Sequence, residues 1–271
     1  MHYGLVDNNK VEAEPGLKAV CPGCLQPLIA KCGTKKVHHW AHRSKIMCDS
    51  WWEPETEWHR LWKNNYPVEW QEIFLPDERT GEKHIADVRT NLGLVIEFQH
   101  SHITQQERVS REDFYKTMVW VVDGTRLKRD YPRFVKRRKE YFRQTGVQGF
   151  FFVDFPGECF PADWLQSKVP VIFDFRSIDL STETKENVQE PLWCLYPGRD
   201  SERAIVAGIS HKDFISITIN EPRFLLFPKM AYEEINRIQN NLQQQQKNRQ
   251  MQSLMSAAQR KEAWRRRGRR L

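Results

Sequence analysis

The sequence predicts a mixed α/β protein that begins with a small module rich in cysteine and histidine. Segments in which apolar and polar residues alternate, as in strands, are interspersed with segments of helical periodicity. Four of the six cysteines fall within residues 21–48. With 39% hydrophobic and 28% charged residues, the 271-residue chain has enough apolar material for a core. No apolar run approaches the ~20 residues that span a bilayer, and the first residues lack a signal-peptide core. We therefore expect a cytoplasmic protein that has no membrane partner.

The order of the predicted elements supports this class. Residues 54–63 predict a first helix with apolar residues on one face. Thr104 and Glu107 form a capping-box pattern, which predicts a second helix to about residue 116. Residues 132–144 predict a third helix, which is basic. The predicted strands are residues 68–75, 83–89, 94–99, 118–122, 150–155, 169–175, 192–196, 204–209 and 214–219.

These elements divide the chain into four parts. Residues 1–52 form the cysteine and histidine module, residues 53–165 the central core with the basic helix, and residues 166–228 a β-rich extension. Residues 229–271 lack proline and are rich in Gln, Asn, Arg and Glu, which predicts a long polar helix with an Arg-rich tail. That helix is a candidate docking element for a protein partner.

Positive charge is concentrated in two stretches. The net charge is +7, yet residues 126–143 alone carry nine basic and two acidic residues, and residues 259–271 carry seven basic and one acidic. This polarisation fits a polyanion such as DNA. On the third helix we expect the outward-facing basic residues to contact the phosphate backbone; they are Arg133, Lys136, Arg137 and Lys139. The alternative is that both stretches are solvated surface.

The amino-terminal module has the spacing of a structural zinc site. Cys21-Pro-Gly-Cys24 is a two-residue turn that directs both sulfurs toward one ion. Two more ligands are needed, and our first choice is His42 and Cys48, with His39 as the reserve ligand. The alternative is a set of ordinary thiols and surface histidines. A module this small has little core of its own, so zinc would be structural.

A predicted hairpin brings two carboxylates together. If residues 91–93 form a three-residue turn, Thr90 faces Leu94 and Asp87 lies directly opposite Glu97. Opposed residues have Cβ atoms ~4.5–5.5 Å apart, so the two carboxylates repel unless a proton or cation lies between them. Oxygen ligands of this kind favour Mg²⁺ or Mn²⁺. The alternative is a structural network with neighbouring cations on the strands, namely Lys83, His84 and Arg89.

Several motifs, in order, resemble the competence protein CoiA-like family. The resemblance covers residues 18–123 and is carried by Cys21-Pro-x-Cys24, His39-Trp-Ala-His42, Cys48, Glu55-Thr-x-Trp-His59, Trp62-Lys63, Ala86-Asp87-Val88, Glu97-Phe-Gln-His-Ser101-x-Ile103 and Tyr115-x-x-Met-Val-Trp120. It implies a zinc-ribbon-like amino terminus joined to a PD-(D/E)XK, restriction-endonuclease-like core of a helix, three antiparallel strands, a helix and a strand.

The resemblance also implies roles for individual residues. Asp87 matches the nuclease motif aspartate, Glu97 the following glutamate, and Glu57 the acidic residue of the first helix, although Glu55 lies two positions away. Gln99 stands where lysine is usual in the wider nuclease group, and would orient water or phosphate. The missing positive charge or proton donor could then come from Lys63, His59 or His100.

The function implied is hydrolysis of DNA phosphodiester bonds by a divalent-metal-dependent nuclease that handles incoming or foreign DNA in competence, recombination or phage defence. Asp87 and Glu97 would hold Mg²⁺ or Mn²⁺. Two alternatives remain open: a zinc-containing DNA-binding protein without enzymatic activity, and a subunit that docks a partner through its carboxy-terminal helix.

Overall fold

The protein has two β-sheets and six short helices among its described residues. A computed structural model describes residues 1–43, 49, 51, 55–78, 81–175, 191–198 and 203–226, with scattered single positions between 233 and 256. The expected mixed α/β class is confirmed.

The smaller sheet is built by the amino-terminal residues and has five strands in the order β2-β1-β3-β4-β5. Trp40 is 1% exposed and lies at the centre of its small core with Leu28 and Cys21. Its strands are β1 (Tyr3–Val6), β2 (Asn9–Glu12), β3 (Lys18–Val20), β4 (Pro27–Lys31) and β5 (His39–His42).

The larger sheet has nine strands in the order β10-β11-β14-β13-β12-β9-β8-β7-β6. Three neighbouring strands at its centre, β8, β9 and β12, run parallel to one another, and the other pairs are antiparallel. The strands are β6 (Gln71–Pro76), β7 (Lys83–Arg89), β8 (Val95–Gln99), β9 (Met118–Asp123), β10 (Phe142–Gln144), β11 (Phe150–Asp154), β12 (Val171–Asp174), β13 (Leu192–Leu195) and β14 (Arg203–Ile209).

Helices cover both faces of the larger sheet. One core contains Trp58 and Trp62 from α1 with Phe214 from α5, and the opposite core contains Phe134 from α3 and Tyr115 from α2. The helices are α1 (Glu57–Lys63), α2 (Gln105–Tyr115), α3 (Asp130–Tyr141), α4 (Pro156–Cys159), α5 (His211–Asn220) and α6 (Arg223–Leu226).

The element order predicted for the central core is present. Helix α1 precedes the antiparallel strands β6, β7 and β8, and α2 then connects β8 to the parallel strand β9. The predicted N-cap of α2 is confirmed, since Thr104 Oγ1 accepts from the Glu107 N–H at 3.1 Å. The Glu107 carboxylate contacts Arg111. The first predicted strand begins later than expected, because residues 68–70 form a 3₁₀ turn before β6.

The strand predicted at residues 214–219 is wrong, since these residues lie in helix α5. Alternating isoleucines favour a strand by propensity. Ser210 nevertheless caps a helix by accepting from the Asp213 N–H at 3.0 Å. Phe214 and Thr218, four residues apart, are then buried on one helix face. Capping and burial together override the local strand propensity.

Two further findings concern the carboxy-terminal half. Strands β12, β13 and β14 extend the same sheet as the central core. The long helix expected over residues 229–271 lies largely outside the described residues; the scattered positions described there are helical. No helix with described bounds is longer than twelve residues.

Among the described residues, no helix is long and apolar enough to cross a lipid bilayer.

Candidate metal and active sites

The first candidate site is a cluster of Cys21, Cys24 and His42. Their ligand atoms all lie within 4.8 Å of one another, and Cys24 Sγ is 3.3 Å from His42 Nε2. Burial lowers the pKa of His42, which favours the neutral imidazole that binds metal. Two thiols and an imidazole are the donor set that zinc prefers. The three residues therefore fit a structural zinc ion.

The other residues predicted as zinc ligands are Cys48 and, in reserve, His39. Cys48 lies outside the described residues, so its role stays a prediction. His39 is not part of the cluster; its Nδ1 is 2.9 Å from the Val37 carbonyl oxygen. In the extended strand β5, residues three apart face opposite sides, which is why His42 reaches the sulfurs and His39 does not. Cys32 also lies elsewhere, with its Sγ donating to the Ala13 carbonyl at 3.5 Å.

The turn between the two cysteines, residues 21–24, packs against the edge of the larger sheet. Lys83 Nζ of β7 donates to the Gly23 carbonyl oxygen at 2.8 Å. A Cβ atom on Gly23 would lie 2.1 Å from a ring carbon of Phe74 in β6. Only glycine permits this approach, so the candidate zinc site is held directly against the central core.

The second candidate site lies on the hairpin of β7 and β8. The Thr90 N–H donates to the Leu94 carbonyl at 2.9 Å, as the predicted three-residue turn requires. The register therefore places Asp87 opposite Glu97, as predicted. The paired residues beside them are Val88 with Ile96 and Arg89 with Val95.

At this position of the hairpin, two backbone N–H groups donate to carboxylate oxygens of the neighbouring strand instead of to its carbonyl oxygens. The Asp87 N–H donates to Glu97 Oε1 at 3.2 Å, and the Phe98 N–H donates to Asp87 Oδ2 at 3.0 Å. Each carboxylate is therefore fixed by a backbone N–H of the neighbouring strand. This arrangement orients the two groups together at one position of the sheet.

Both carboxyl groups have raised pKa values. Burial raises the pKa of Asp87, whose side chain remains 25% exposed. Burial and the nearby Asp87 charge raise the pKa of Glu97 to about 8, against the lowering effect of Arg111. A close pair of this kind favours a bound proton or cation.

A buried lysine lies beside this pair. Lys63, in the last turn of α1, is 1% exposed. Its Nζ contacts Glu55 Oε2 at 2.8 Å and Glu72 Oε1 at 3.2 Å, and lies 4.0 Å from Asp87 Oδ1. These carboxylates raise the pKa of Lys63 despite its burial, so the ammonium remains charged. Lys63 was among the residues proposed from sequence to supply positive charge.

Arg111 on α2 was not singled out in the sequence. Its Nη1 donates to Glu97 Oε2 at 3.0 Å, and its Nη2 contacts Glu107. The guanidinium also lies over the rings of Trp51 and Trp120. The expected alternative partners lie elsewhere: Lys83 bonds to the candidate zinc turn and His84 to Asp49. Only the assembled fold shows that the cations of this pair come from two helices.

Several buried polar atoms near the pair have no hydrogen-bond partner within the described part of the chain, among them Glu55 Oε1 and the Tyr115 hydroxyl. Burial, and after it the charge of Glu97, raise the pKa of Tyr115 well above its usual value. Buried polar groups normally have a partner, so such atoms call for a water or an ion. The carboxylate oxygens of Asp87 and Glu97 are of the kind that Mg²⁺ and Mn²⁺ prefer.

Glu57, the acidic residue predicted for the first helix, and Glu55, two positions before it, lie in different environments. Glu57 begins α1 and is exposed. Glu55, whose side chain is 8% exposed, contacts Lys63 and raises the pKa of Asp87 through its charge. Of the two glutamates, Glu55 is therefore the one that joins the buried cluster. The sequence could not separate them, because the helix start had to be known.

The other polar residues predicted for the site lie around the carboxyl end of β8, away from the hairpin turn. Gln99 is 3% exposed, and its Nε2 donates to Ser101 Oγ at 3.2 Å. His59 Nε2 lies 2.9 Å from the Phe98 carbonyl oxygen, which only accepts, so this nitrogen carries the hydrogen. His100 Nδ1 lies 2.7 Å from Asp123 Oδ2. Of the two histidines, His100 is the more exposed, with 38% of its side chain accessible.

The four basic residues predicted to face outward on α3 fall into two pairs. Lys136 and Lys139 are exposed. Arg133 and Arg137 are partly buried and form ion pairs with acidic side chains. The contacts are Arg133 to Asp130 at 3.5 Å, Arg137 to Glu140 at 2.7 Å and Arg137 to Glu158 at 3.3 Å. The two arginines are therefore less available to an external phosphate than the lysines.

The fold and its two clusters define a mixed α/β protein that combines a Cys/His metal-type site with a buried carboxylate pair. Residues 8–50 match the family model described as competence protein CoiA, N-terminal domain. This match confirms the CoiA-like resemblance for the segment that holds Cys21, Cys24 and His42. It does not reach Asp87 or Glu97. Comparisons with curated proteins and with solved structures found no match.

Proposed function

We propose that this protein is a divalent-metal-dependent nuclease that hydrolyses DNA phosphodiester bonds. The observation that carries the proposal is the pair of Asp87 and Glu97, opposed across a hairpin and both with raised pKa values. Paired carboxylates in a sheet, beside a buried lysine, are suited to holding Mg²⁺ or Mn²⁺ near a phosphate. The element order from α1 to β9 supports a PD-(D/E)XK-like core, as the resemblance implies.

Each residue near the pair has a defined part in this proposal. When bound, a divalent ion supplies Lewis acidity and activates water at neutral pH. Asp87 and Glu97 would hold that ion, and Gln99 would orient the attacking water or the phosphate. Lys63 carries the fixed positive charge nearest Asp87 among the described groups. Such preorganised charge stabilises the negative charge that develops during phosphodiester hydrolysis.

The proposed DNA contact uses the basic helix and needs no base recognition. Lys136 and Lys139 on α3 are exposed and suit electrostatic binding to phosphates. The biological setting implied by the CoiA-like resemblance is the handling of incoming or foreign DNA.

A second candidate function is DNA binding without catalysis. It is favoured by the ion pairs of the cluster, because Lys63 contacts Glu55 and Glu72 while Arg111 contacts Glu97. A network that supplies its own cations can be purely structural. In that case the carboxylates would need no divalent ion.

Cleavage assays separate the two functions. Labelled single- and double-stranded DNA is incubated with no added divalent ion, or with Mg²⁺, Mn²⁺ or Ca²⁺. Wild-type protein is compared with Asp87→Asn, Glu97→Gln and the exposed-site control Glu69→Gln. We expect products only with Mg²⁺ or Mn²⁺, and a loss of about 1,000-fold or more in the two hairpin variants. DNA binding without any product, in all four proteins, would favour the second function.

A further inference from the structure

Glu72 is the residue that connects the amino-terminal sheet to the candidate active site. It lies in β6, is 6% exposed and contacts Lys63 Nζ at 3.2 Å through Oε1. The same oxygen accepts from the His2 N–H at 2.7 Å, and Oε2 accepts from the Tyr3 N–H at 3.0 Å. Two of its three donors therefore come from Tyr3, the first residue of the other sheet, and from His2 directly before it.

The backbone at Glu72 is unusual for a strand. Its φ is +48°, in the left-handed region that non-glycine residues rarely adopt. Its neighbours pair normally with β7, Gln71 with Val88 and Ile73 with Ala86. A strained residue inside an otherwise regular pair persists only where the surrounding structure holds it, and such residues cluster at functional sites. The strain at Glu72 coincides with the contact to Lys63.

The charge state of Glu72 suits a holding role. Although burial would raise its pKa, the Lys63 ammonium and the backbone N–H groups of His2 and Tyr3 help to hold that pKa at about 2. The carboxylate is therefore ionised throughout the neutral range. Glu55 holds the same ammonium at 2.8 Å, so Lys63 is fixed between two carboxylates and lies 4.0 Å from Asp87.

We propose that Glu72 is a positioning residue of the active site: anchored by the first peptide groups of the amino-terminal sheet, it fixes the Lys63 ammonium beside Asp87. This inference rests on the proposed nuclease function. Lys63 then supplies the positive charge that Gln99 cannot. The amino-terminal sheet is, in consequence, part of the structure that builds the active site, in addition to any contact it makes with DNA.

The experiment uses the full chain and four variants: Glu72→Gln, Lys63→Met, the double variant, and Glu69→Gln as a matched control. Glu69 is an exposed glutamate three residues before Glu72, so its substitution removes the same charge. Single-turnover cleavage with Mn²⁺ is measured over a range of protein concentrations, all in excess over DNA. We expect Glu72→Gln to slow the maximal cleavage rate about 100-fold, the size of loss typical of a misplaced catalytic group, with little change in the protein concentration that gives half of that rate. The control should cleave at the wild-type rate.

The double variant distinguishes positioning from a general structural effect. If Glu72 acts through Lys63, adding Glu72→Gln to Lys63→Met costs no further rate, because the group it positions is already gone. The same fold loss in both backgrounds would overturn the proposal. So would a wild-type rate in Lys63→Met, and that outcome remains decisive even if Glu72→Gln does not fold.

The position of Lys63 can also be tested by a measurement that does not depend on activity. Acetic anhydride is added to the folded proteins, and acetylation of Lys63 is measured by mass spectrometry. We expect it to rise about tenfold or more in Glu72→Gln, since one of the two carboxylates that hold the buried ammonium is lost. Unchanged acetylation would overturn the proposal. Absence of cleavage by the wild-type protein would instead remove the proposed function, and this inference with it.

Discussion

The two candidate sites differ in how the chain builds them. Cys21, Cys24 and His42 come from one small sheet and lie within 22 residues of sequence. The carboxylate cluster is assembled from α1, β6, β7, β8 and α2, and its charges depend on contacts among all of them. A local site can be recognised from spacing, whereas a dispersed site is defined only by the fold. The family match, which covers residues 8–50, falls on the local site alone.

The largest effect we expect tests the local site. Replacing both Cys21 and Cys24 with serine should abolish zinc binding and unfold the amino-terminal sheet, because structural zinc contributes on the order of 10 kcal/mol to small modules. Zinc content by atomic emission and limited proteolysis within residues 1–43 report the two changes. Cys32→Ser, which removes a thiol outside the cluster, should keep one zinc ion per chain. Retention of zinc by the double variant would contradict the assignment.

Substitutions at two neighbouring glutamates, Glu55 and Glu57, test the carboxylate cluster. Glu55→Gln should slow cleavage about 10- to 100-fold, because Glu55 holds Lys63 inside the buried cluster. Glu57→Gln should leave the rate unchanged, since Glu57 is exposed. Cleavage rates under single-turnover conditions compare the two. A loss confined to Glu57→Gln would restore Glu57 as the acidic residue of the first helix.

The carboxylate pair should also give stability a characteristic dependence on pH. Glu97 has a pKa of about 8 in the folded protein against an ordinary value of 4.5, so between these values the folded state binds more protons. The free energy of unfolding therefore falls as pH rises from about 4.5 to about 8. At about 1.4 kcal/mol per unit of pKa, the loss is a few kcal/mol. Glu72, with its pKa near 2, titrates below this window.

Urea unfolding at several pH values, without added Mg²⁺ or Mn²⁺, measures this slope. Glu97→Gln should flatten it, and added Mn²⁺ should stabilise the wild-type protein more at pH 8 than at pH 6. A stability that rises between pH 5 and pH 8, with Glu97→Gln indistinguishable from wild type, would show that the pair does not carry the raised pKa.

The smallest effect concerns the basic helix. Replacing Lys136 and Lys139 with alanine should weaken DNA binding several-fold and reduce the salt dependence by about two phosphate contacts. Alanine at Arg133 and Arg137 should weaken it less, because acidic neighbours already pair with these arginines. Fluorescence anisotropy at several salt concentrations compares the pairs. An equal loss for both pairs would show that DNA displaces the internal partners.

The comparison of sites also explains what the sequence could predict. The register that opposes Asp87 and Glu97 followed from alternation and turn length, and the capping box at Thr104 placed α2. Both are local rules. Arg111 and Glu72 could not be identified in this way, because their roles depend on which elements pack together. The helix at residues 211–220 was missed for a related reason: burial of Phe214 outweighed strand propensity.

The packing of the amino-terminal sheet on β6 has a consequence for self-association. Strand β6 is one edge of the nine-stranded sheet, and an uncovered edge rich in apolar residues is a template for pairing with other chains. His2 and Tyr3 bond to the Glu72 side chain, and Phe74 and Ile85 pack against the core of the small sheet, so the small sheet covers one face of β6 and β7 beside this edge. A chain that loses its zinc ligands should therefore expose Phe74 and Ile85 beside this edge, and we expect it to aggregate more readily. We therefore expect the amino-terminal sheet to have a second role, which is to keep these apolar side chains away from other chains.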